Sequence, residues 1–248
     1  MINNKKILCV VTARAGSKGI KNKNYRDLFG KPLFMWSMLA ALNSKYIDTI
    51  VLSSNCEECE KIHINWVKDL EVEQQDRIYF IDRPDKYATD TSKNEEALIH
   101  SLSGLDTLYG LKHNIVINLQ PTSPCRLGGI LDGCIEKYGE GYDSLLTATK
   151  DTPFIWQKID GKWEYTVDKN DCCDRKMRQE FEEHEFLYHD CGSVYMTDSK
   201  ILLDKECRIG YNPCIFEIEG VNSVQIDKED DFLLIEKMIE AQGLKSLI

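Results

Sequence analysis

Residues 7–19, Ile-Leu-Cys-Val-Val-Thr-Ala-Arg-Ala-Gly-Ser-Lys-Gly, constrain this chain more than any other stretch. The apolar run Ile7, Leu8, Val10, Val11 predicts a buried strand. It breaks into a loop holding two glycines, Gly16 and Gly19, and two cations, Arg14 and Lys18. Glycine lets the backbone turn sharply and bring its N–H groups towards a ligand. The cations add charge-assisted bonds, which phosphate oxygens accept well. Together they suit a polyphosphate. Neither G-x-G-x-x-G nor G-x-x-x-x-G-K-[ST] is present. Gly16-Ser17-Lys18-Gly19 alone would be an ordinary basic turn. The preceding strand, Arg14 and the later motifs carry the phosphate reading.

Apolar runs bounded by turn signals recur at Ile7–Val11, Thr49–Leu52, Ile78–Ile81, Asn114–Leu119 and Ser144–Thr149. Amphipathic stretches lie between them. Leu33, Trp36 and Ala40 fall at helical spacing within Pro32–Leu42, with a proline near the start. Ser92-Lys93-Asn94-Glu95 has capping-box form and opens a second helix through Ala97, Leu98 and Leu102. Leu127–Tyr138 reads as a third, and Lys228–Gln242 as a fourth. Strands alternating with helices predict an α/β fold with a largely parallel sheet. Ligands gather at the carboxyl ends of such strands. The loops Arg14–Gly19 and Gln120–Arg126 both fall there.

The pattern changes after Asp151. Phe154–Ile159 and Lys162–Val167 alternate apolar and polar residues around Asp160-Gly161, a strong hairpin signal. Asp168–His189 is dense in charge and carries Met177, Phe181, Phe186 and Leu187. Residues 151–190 therefore read as an arm inserted within one domain spanning residues 1–248.

At 248 residues the chain can bury a sizeable core. Its net charge of −10 argues against a broad nucleic-acid or anionic-membrane surface. A local cationic pocket is compatible with that balance. The first apolar run is too short for a signal peptide or membrane span, so a cytoplasmic protein is expected. The ten cysteines are scattered, which fits free thiols in a reducing compartment. Cys56-Glu57-Glu58-Cys59 is a single C-x-x-C that sits where a helix should begin, and it has no second pair at zinc spacing. A zinc or redox role is its alternative reading. His100 falls within a predicted helix, and no Ser/His/Asp arrangement emerges.

Ala13–Gly19, Lys23-Asn24 and Gly30-Lys31-Pro32-Leu33 together resemble the first motif of the acylneuraminate cytidylyltransferases. These are the CMP-sialic acid synthetases and their legionaminate and pseudaminate relatives. The Arg-Leu-Pro-Gly-Lys run usual in the related Kdo enzymes is absent. Further segments continue the resemblance in order. Asp82–Ser92 is similar to the family's Arg-Pro…Ala-x-Asp-x-x-Ser motif, and Asn118–Arg126 to its Leu-Gln-Pro-Thr-Ser-Pro-Leu-Arg run, with Cys125 in place of leucine. Arg178-Gln179 and Asp190–Met196 resemble its Arg-Gln pair and Asn-Gly-Ala-Ile-Tyr-Ile strand, with Cys191 in place of asparagine. Ser223–Phe232 is similar to its Asp-Ile-Asp-x-x-x-Asp-Phe run, with Gln225 in place of the first aspartate.

The resemblance implies a Rossmann-like three-layer α/β/α domain, mostly parallel in its sheet, whose arm embraces a second copy in a homodimer. It implies transfer of CMP from CTP to a nine-carbon 2-keto sugar acid, with pyrophosphate released. It places Arg14 and Lys18 on the phosphates, and assigns Ala13, Gly16, Ser17, Asn24 and Arg83 to holding the nucleotide. Gln120, Ser123, Arg178, Gln179 and Tyr195 would receive the sugar acid, with Arg175 competing for the role of acid-binding arginine. Asp227 and Gln225 would hold Mg²⁺. Asp227 has a second reading, as the N-cap of the last helix. The departures at Gln225 and Cys191 leave three alternatives: a Kdo-like acid, GTP as donor, or a non-catalytic nucleotide-binding relative. The missing glycine fingerprint speaks against a dinucleotide-dependent oxidoreductase.

Overall fold

The computed structural model describes residues 2–16, 19–152, 154–165 and 176–242. Strand β1 (Ile7–Thr12) is buried at every position, as an apolar run of that length requires in the middle of a sheet. A short hairpin, β2 (Asp27–Leu28) with β3 (Lys31–Pro32), leads into α1 (Leu33–Asn43). Then follow β4 (Thr49–Ser54), α2 (Glu57–Lys68), the single turn α3 (Val72–Gln75), β5 (Ile78–Asp82), α4 (Asn94–Tyr109), β6 (Ile115–Leu119), α5 (Ile130–Tyr138) and β7 (Ser144–Asp151). The hairpin β8 (Trp156–Ile159) and β9 (Lys162–Tyr165) stands outside the main sheet. The chain returns through β10 (Leu187–Asp198), α6 (Ser199–Lys205), β11 (Pro213–Glu217) and α7 (Glu229–Ala241).

The main sheet has seven strands in the order β11-β7-β10-β6-β1-β4-β5. Each neighbouring pair is parallel except the two that β10 makes, with β6 and with β7. The chain winds from β1 outward through β4 to β5, then crosses back to place β6 on the other side of β1. That reversal is a topological switch point, where the loops after β1 and β6 part and leave a crevice.

Alternation along β1 divides the core. Ile7, Cys9 and Val11 face one layer with Phe34 and Met38 of α1 and Cys134 and Ile135 of α5. Leu8 and Val10 face the other with Leu98, Leu102 and Leu105 of α4 and Leu202 of α6. The expected three layers and mostly parallel sheet are thus present. A smaller cluster joins Ile20, Leu33 and Trp36 to Ile226, Phe232, Ile235 and Ile239, so α7 closes over the region next to the first loop. Among the described residues, no helix is long and apolar enough to cross a membrane.

Two helix starts differ from the sequence reading. Helix α4 begins at Asn94 with Lys93 at the cap, and the Lys93 N–H donates to Glu96 Oε2 at 2.9 Å. Ser92 is drawn away because its hydroxyl serves the Lys86 carbonyl and Thr89. Helix α7 begins at Glu229, and Asp231 Oδ2 accepts the N–H groups of both Asp227 and Lys228. Asp227 is therefore not the cap, and its carboxylate is left to other partners. Asp160 and Gly161 do form the tight turn of the β8–β9 hairpin, with φ of 48° and 83°.

His63 on α2 and His113 before β6 are buried, and burial pushes both imidazoles down to about 4. The folded values lie below that of a free imidazole, so on acidification the unfolded chain takes up these protons first. Their contribution to stability is complete above about pH 6.5 and is lost as pH falls towards 4. We expect the thermal midpoint to drop across that window, and His63→Leu to make the drop shallower in pH-dependent calorimetry.

Candidate active site

A cavity of about 340 Å³ opens at the switch point, lined by Thr12, Arg14, Gly19, Lys23, Asn24, Arg83, Asn94, Gln120, Pro121, Thr122 and Asp227. That volume falls in the range of small-ligand sites. The segments Ala13–Gly19, Lys23-Asn24, Asp82–Ser92, Asn118–Arg126 and Ser223–Phe232 each contribute to the lining. A larger hollow of about 510 Å³ beside α4 carries the carboxylates Glu95, Glu96 and Glu206, which repel a polyphosphate.

The floor is built from the ends of β1 and β4. The Ala13 N–H donates to the Ser53 carbonyl, and the Ala13 carbonyl accepts from the Ser54 hydroxyl at 2.6 Å. The Ala15 N–H donates to Asn55 Oδ1 at 2.8 Å. Gly16 follows with φ of 72°, in the left-handed region. Asn24 reaches back to donate its amide to the Arg14 carbonyl at 2.8 Å. At Gly19 a Cβ would lie 2.8 Å from the Asp227 carbonyl oxygen, so only glycine lets the loop pass this close to the start of α7. Ser17 and Lys18 lie outside the described residues.

Arg83 is the most deeply buried cation here, 4 % exposed. Its Nε donates to Ser53 Oγ at 3.2 Å and an Nη to the Ser53 carbonyl at 2.5 Å. Among the described residues no carboxylate pairs with it. Burial pushes its guanidinium down to about 10, and the charge of Arg14 works in the same direction. It is still cationic at neutral pH. A buried guanidinium without a counter-ion is held at a desolvation cost that an incoming anion offsets.

Two other cations are held by weak ties. Arg14 donates to Asp90 Oδ1 at 3.0 Å and to the Ala88 carbonyl at 3.4 Å. Lys23 donates to the Ile226 carbonyl at 3.0 Å and to Asp227 Oδ1 at 3.3 Å. Both ion pairs are partly open to solvent, with the Asp227 side chain 64 % exposed. Such pairs contribute about 0–1 kcal/mol, so a phosphate can take either cation over.

The loop after β6 is clamped by Arg126. Its guanidinium donates to the Ser193 carbonyl, the Gln120 carbonyl and the Ser37 hydroxyl. Gln120 enters the cavity from this clamped loop. Ser123, expected to contact the sugar, is fully buried, and its hydroxyl donates to the Cys191 carbonyl. It braces the loop from behind. Cys191–Val194 bulge out of β10 opposite Thr147, which holds them with bonds to Cys191 and Val194. Gly192 sits in this bulge with φ of 64°. A Cβ there would fall 2.5 Å from Gln225 Nε2 and 2.9 Å from Gln120 Oε1, so the two amides converge over it. Tyr195 is buried with its hydroxyl on both oxygens of Asp190 at 2.8 Å. It lies outside the cavity lining.

Arg178 and Gln179 are not brought to the cavity within one chain. They sit exposed on a short 3-10 turn of the arm, Arg178 5.9 Å from the Phe154 ring and Gln179 against the Met177 sulfur. The rings of Phe154, Phe181 and Phe186 pack against one another around this turn. Arg175 lies outside the described residues. Lys23 and Arg126 lie in motif segments quoted from the sequence but had no role assigned there, and Asn55 was not singled out at all. Asn55 had a signal: a polar residue directly after a strand that neighbours β1.

The donor set can be tested for Mg²⁺. Asp227 offers an exposed carboxylate on the cavity wall and Gln225 an amide close by. Among the described residues no cluster of three or more His, Cys, Asp or Glu side chains suits a metal. Mg²⁺ commonly takes one or two carboxylates and completes its shell with water and substrate phosphates. The residues fit an ion held in that way.

The fold and this cavity define a nucleotidyltransferase-like α/β domain. The sequence model of the cytidylyltransferase family matches residues 8–188, and the chain belongs to that family. It is 26 % identical to post-translational flagellin modification protein B of Campylobacter coli over 245 residues, covering 97 % of each chain. It is 28 % identical over 205 residues to the pseudaminic acid cytidylyltransferase of Campylobacter jejuni, covering 81 % of this chain and 82 % of that one. With the CMP-N,N'-diacetyllegionaminic acid synthase of Legionella pneumophila it shares 26 % over 245 residues, covering 95 % and 97 %. The solved CMP:2-keto-3-deoxy-manno-octonic acid synthetase complexed with CTP has the same fold, with a TM-score of 0.64 at 11 % identity, covering 96 % of this chain and 99 % of that one.

The left-handed backbone at Gly192 is testable. We expect Gly192→Ala to lower stability by about 1–2 kcal/mol in urea unfolding, with the fold retained by circular dichroism.

Proposed function

We propose that this enzyme transfers CMP from CTP to a nine-carbon 2-keto sugar acid of the sialic, legionaminic or pseudaminic type, releasing pyrophosphate. The observation that carries the reading is Arg83, a buried guanidinium without an acid partner at the floor of a cavity edged by Arg14 and Lys23. The names of the relatives supply the sugar class. The missing Arg-Leu-Pro-Gly-Lys run favours these acids over Kdo.

The chemistry asked of the protein is positioning and charge stabilisation. A hydroxyl of the sugar acid attacks the α-phosphorus in line as the pyrophosphate departs. In this reading Arg83, Arg14 and Lys23 grip the triphosphate, and Lys18 of the same loop meets the charge that grows in the transition state. Asn24 and Asn55 hold the loop backbone, and Gln120 orients the sugar acid. Asp227, with Gln225 beside it, holds Mg²⁺, which neutralises phosphate oxygens when bound.

The arm supports a homodimer. Trp156, Ile159, Trp163 and Met177 expose apolar surface along the hairpin and the turn that follows. A second copy covering that surface would also bring Arg178 and Gln179 near its own cleft. We place the reaction in the cytoplasm.

Pyrophosphate release from CTP and from GTP over a panel of sialic, legionaminic, pseudaminic and Kdo acids tests the reaction. Release with CTP and a nine-carbon acid is expected. CTP binding without release on any acid would mark a non-catalytic relative. Arg83→Ala, Arg14→Ala and Asp227→Ala are each expected to lower kcat/KM by about 10²–10³-fold with circular dichroism unchanged. Full activity in Arg83→Ala removes the basis of the assignment. Sedimentation of Trp163→Asp is expected to yield monomers from a dimeric parent.

A further inference from the structure

The turn from β4 into α2 holds the first loop in place and also contains the C-x-x-C motif, which the reaction does not use. Asn55 binds two separate parts of the cleft. Its Oδ1 accepts the Ala15 N–H at 2.8 Å, and its Nδ2 donates to Asp85 Oδ1, beside the Arg83-Pro84 turn, at 3.0 Å. Ser54 donates to the Ala13 carbonyl and accepts the Cys56 N–H at 3.0 Å. Cys56 follows at once, in an extended conformation at the N-cap of α2, half-buried beside Tyr25. Cys59 is fully buried in the first turn. The two cysteines thus stand three residues apart, Cys56 at the N-cap and Cys59 on the first turn of α2.

Helical residues three apart have Cβ atoms about 5–6 Å from each other. A disulfide needs that separation drawn in to about 3.8 Å. At this turn the helical side of the pair is packed into the core, so the mobile partner is Cys56. Its displacement is passed through a single peptide bond to Asn55.

We propose that Cys56 and Cys59 are a thiol-modification site, where exchange with a low-molecular-weight disulfide joins them and releases the Ala15 N–H from Asn55. The thiolate of Cys56 attacks the small disulfide, forming a mixed disulfide and expelling one small thiol. Cys59 then gives its proton to solvent and attacks the Cys56 sulfur, expelling the second small thiol. Two electrons and two protons pass from the cysteine pair to the reagent, so the step balances. Burial holds the Cys59 thiol well above its ordinary range, which keeps the pair reduced until the mixed disulfide brings an electrophilic sulfur to it. Glu57, Glu58 and Glu60 surround the entry, so a cationic disulfide such as cystamine reacts faster than anionic oxidised glutathione.

The test incubates the full chain with cystamine, blocks the remaining thiols and maps the peptides. We expect an internal Cys56–Cys59 bond. We also expect at least tenfold faster hydrogen exchange at the Ala15 amide, reversed by dithiothreitol and absent in Cys56→Ser, whose serine remains a good N-cap. No such bond in the folded protein, or the bond with unchanged Ala15 exchange, overturns the proposal. Weaker CTP binding after oxidation is a further expected result, and it alone rests on the nucleotide reading. A reduced chain that fails to bind CTP would strike that reading and leave the peptide map and the exchange rate to decide this one.

Discussion

A single buried cation organises the cleft. Arg83 hangs from the end of β4 by its two bonds to Ser53, with almost no solvent around it and no carboxylate against it among the described residues. Holding a guanidinium so costs desolvation energy that packing elsewhere must offset. The surrounding architecture keeps that charge in place: Pro84 stiffens the turn that delivers it, and the Arg83 N–H is tied to the Ser54 carbonyl. The same Ser53 carbonyl takes the Ala13 N–H, so one residue at the end of β4 fixes both the guanidinium and the start of the loop after β1.

The rest of the cleft follows from strand order. Because β6 returns to the far side of β1, the loops after these two strands face each other across a gap. Buried or part-buried bonds hold each loop. Asn24 and Asn55 hold the first loop from within the chain's own polar groups. Arg126 holds the second by serving carbonyls on two sides of it. The weak, half-exposed ion pairs Arg14–Asp90 and Lys23–Asp227 lie on the inner walls. Rigid backbone with loosely committed charges is the arrangement expected of a site that must exchange its own counter-ions for those of a ligand.

Much of this was legible in the sequence because buried parallel strands write themselves as unbroken apolar runs. The runs that become β1, β4, β5, β6 and β7 were all visible. The β8–β9 hairpin was legible from Asp160-Gly161. β11 was not read, since Pro213–Glu217 is an edge strand with exposed residues among buried ones. The start of β10 was hidden in a charged segment, because its first residues extend beyond the core. The cap expected at Ser92 and the second, capping reading of Asp227 fail for one shared reason: the capping bond can be made by another side chain nearby. Ser92 went to Lys86 and Thr89, and Asp231 took the capping bonds that were one of the two readings of Asp227. The burial of Ser123 was not legible, because a motif shows which residue is present and says nothing of the face it turns inward.

What the sequence determined by itself is the set of segments and their order: which runs bury, where loops open, and which loops hold cations and glycines. Hydrophobic periodicity and backbone stereochemistry act over a few residues, so they can be read locally. Tertiary structure decided which side chains share the cavity. It put Arg83 against Ser53, Gly19 against the Asp227 carbonyl and Asn55 under Ala15, and it left Arg178 on the arm. Those contacts join residues far apart along the chain. They depend on the order of strands in the sheet, which local periodicity does not encode.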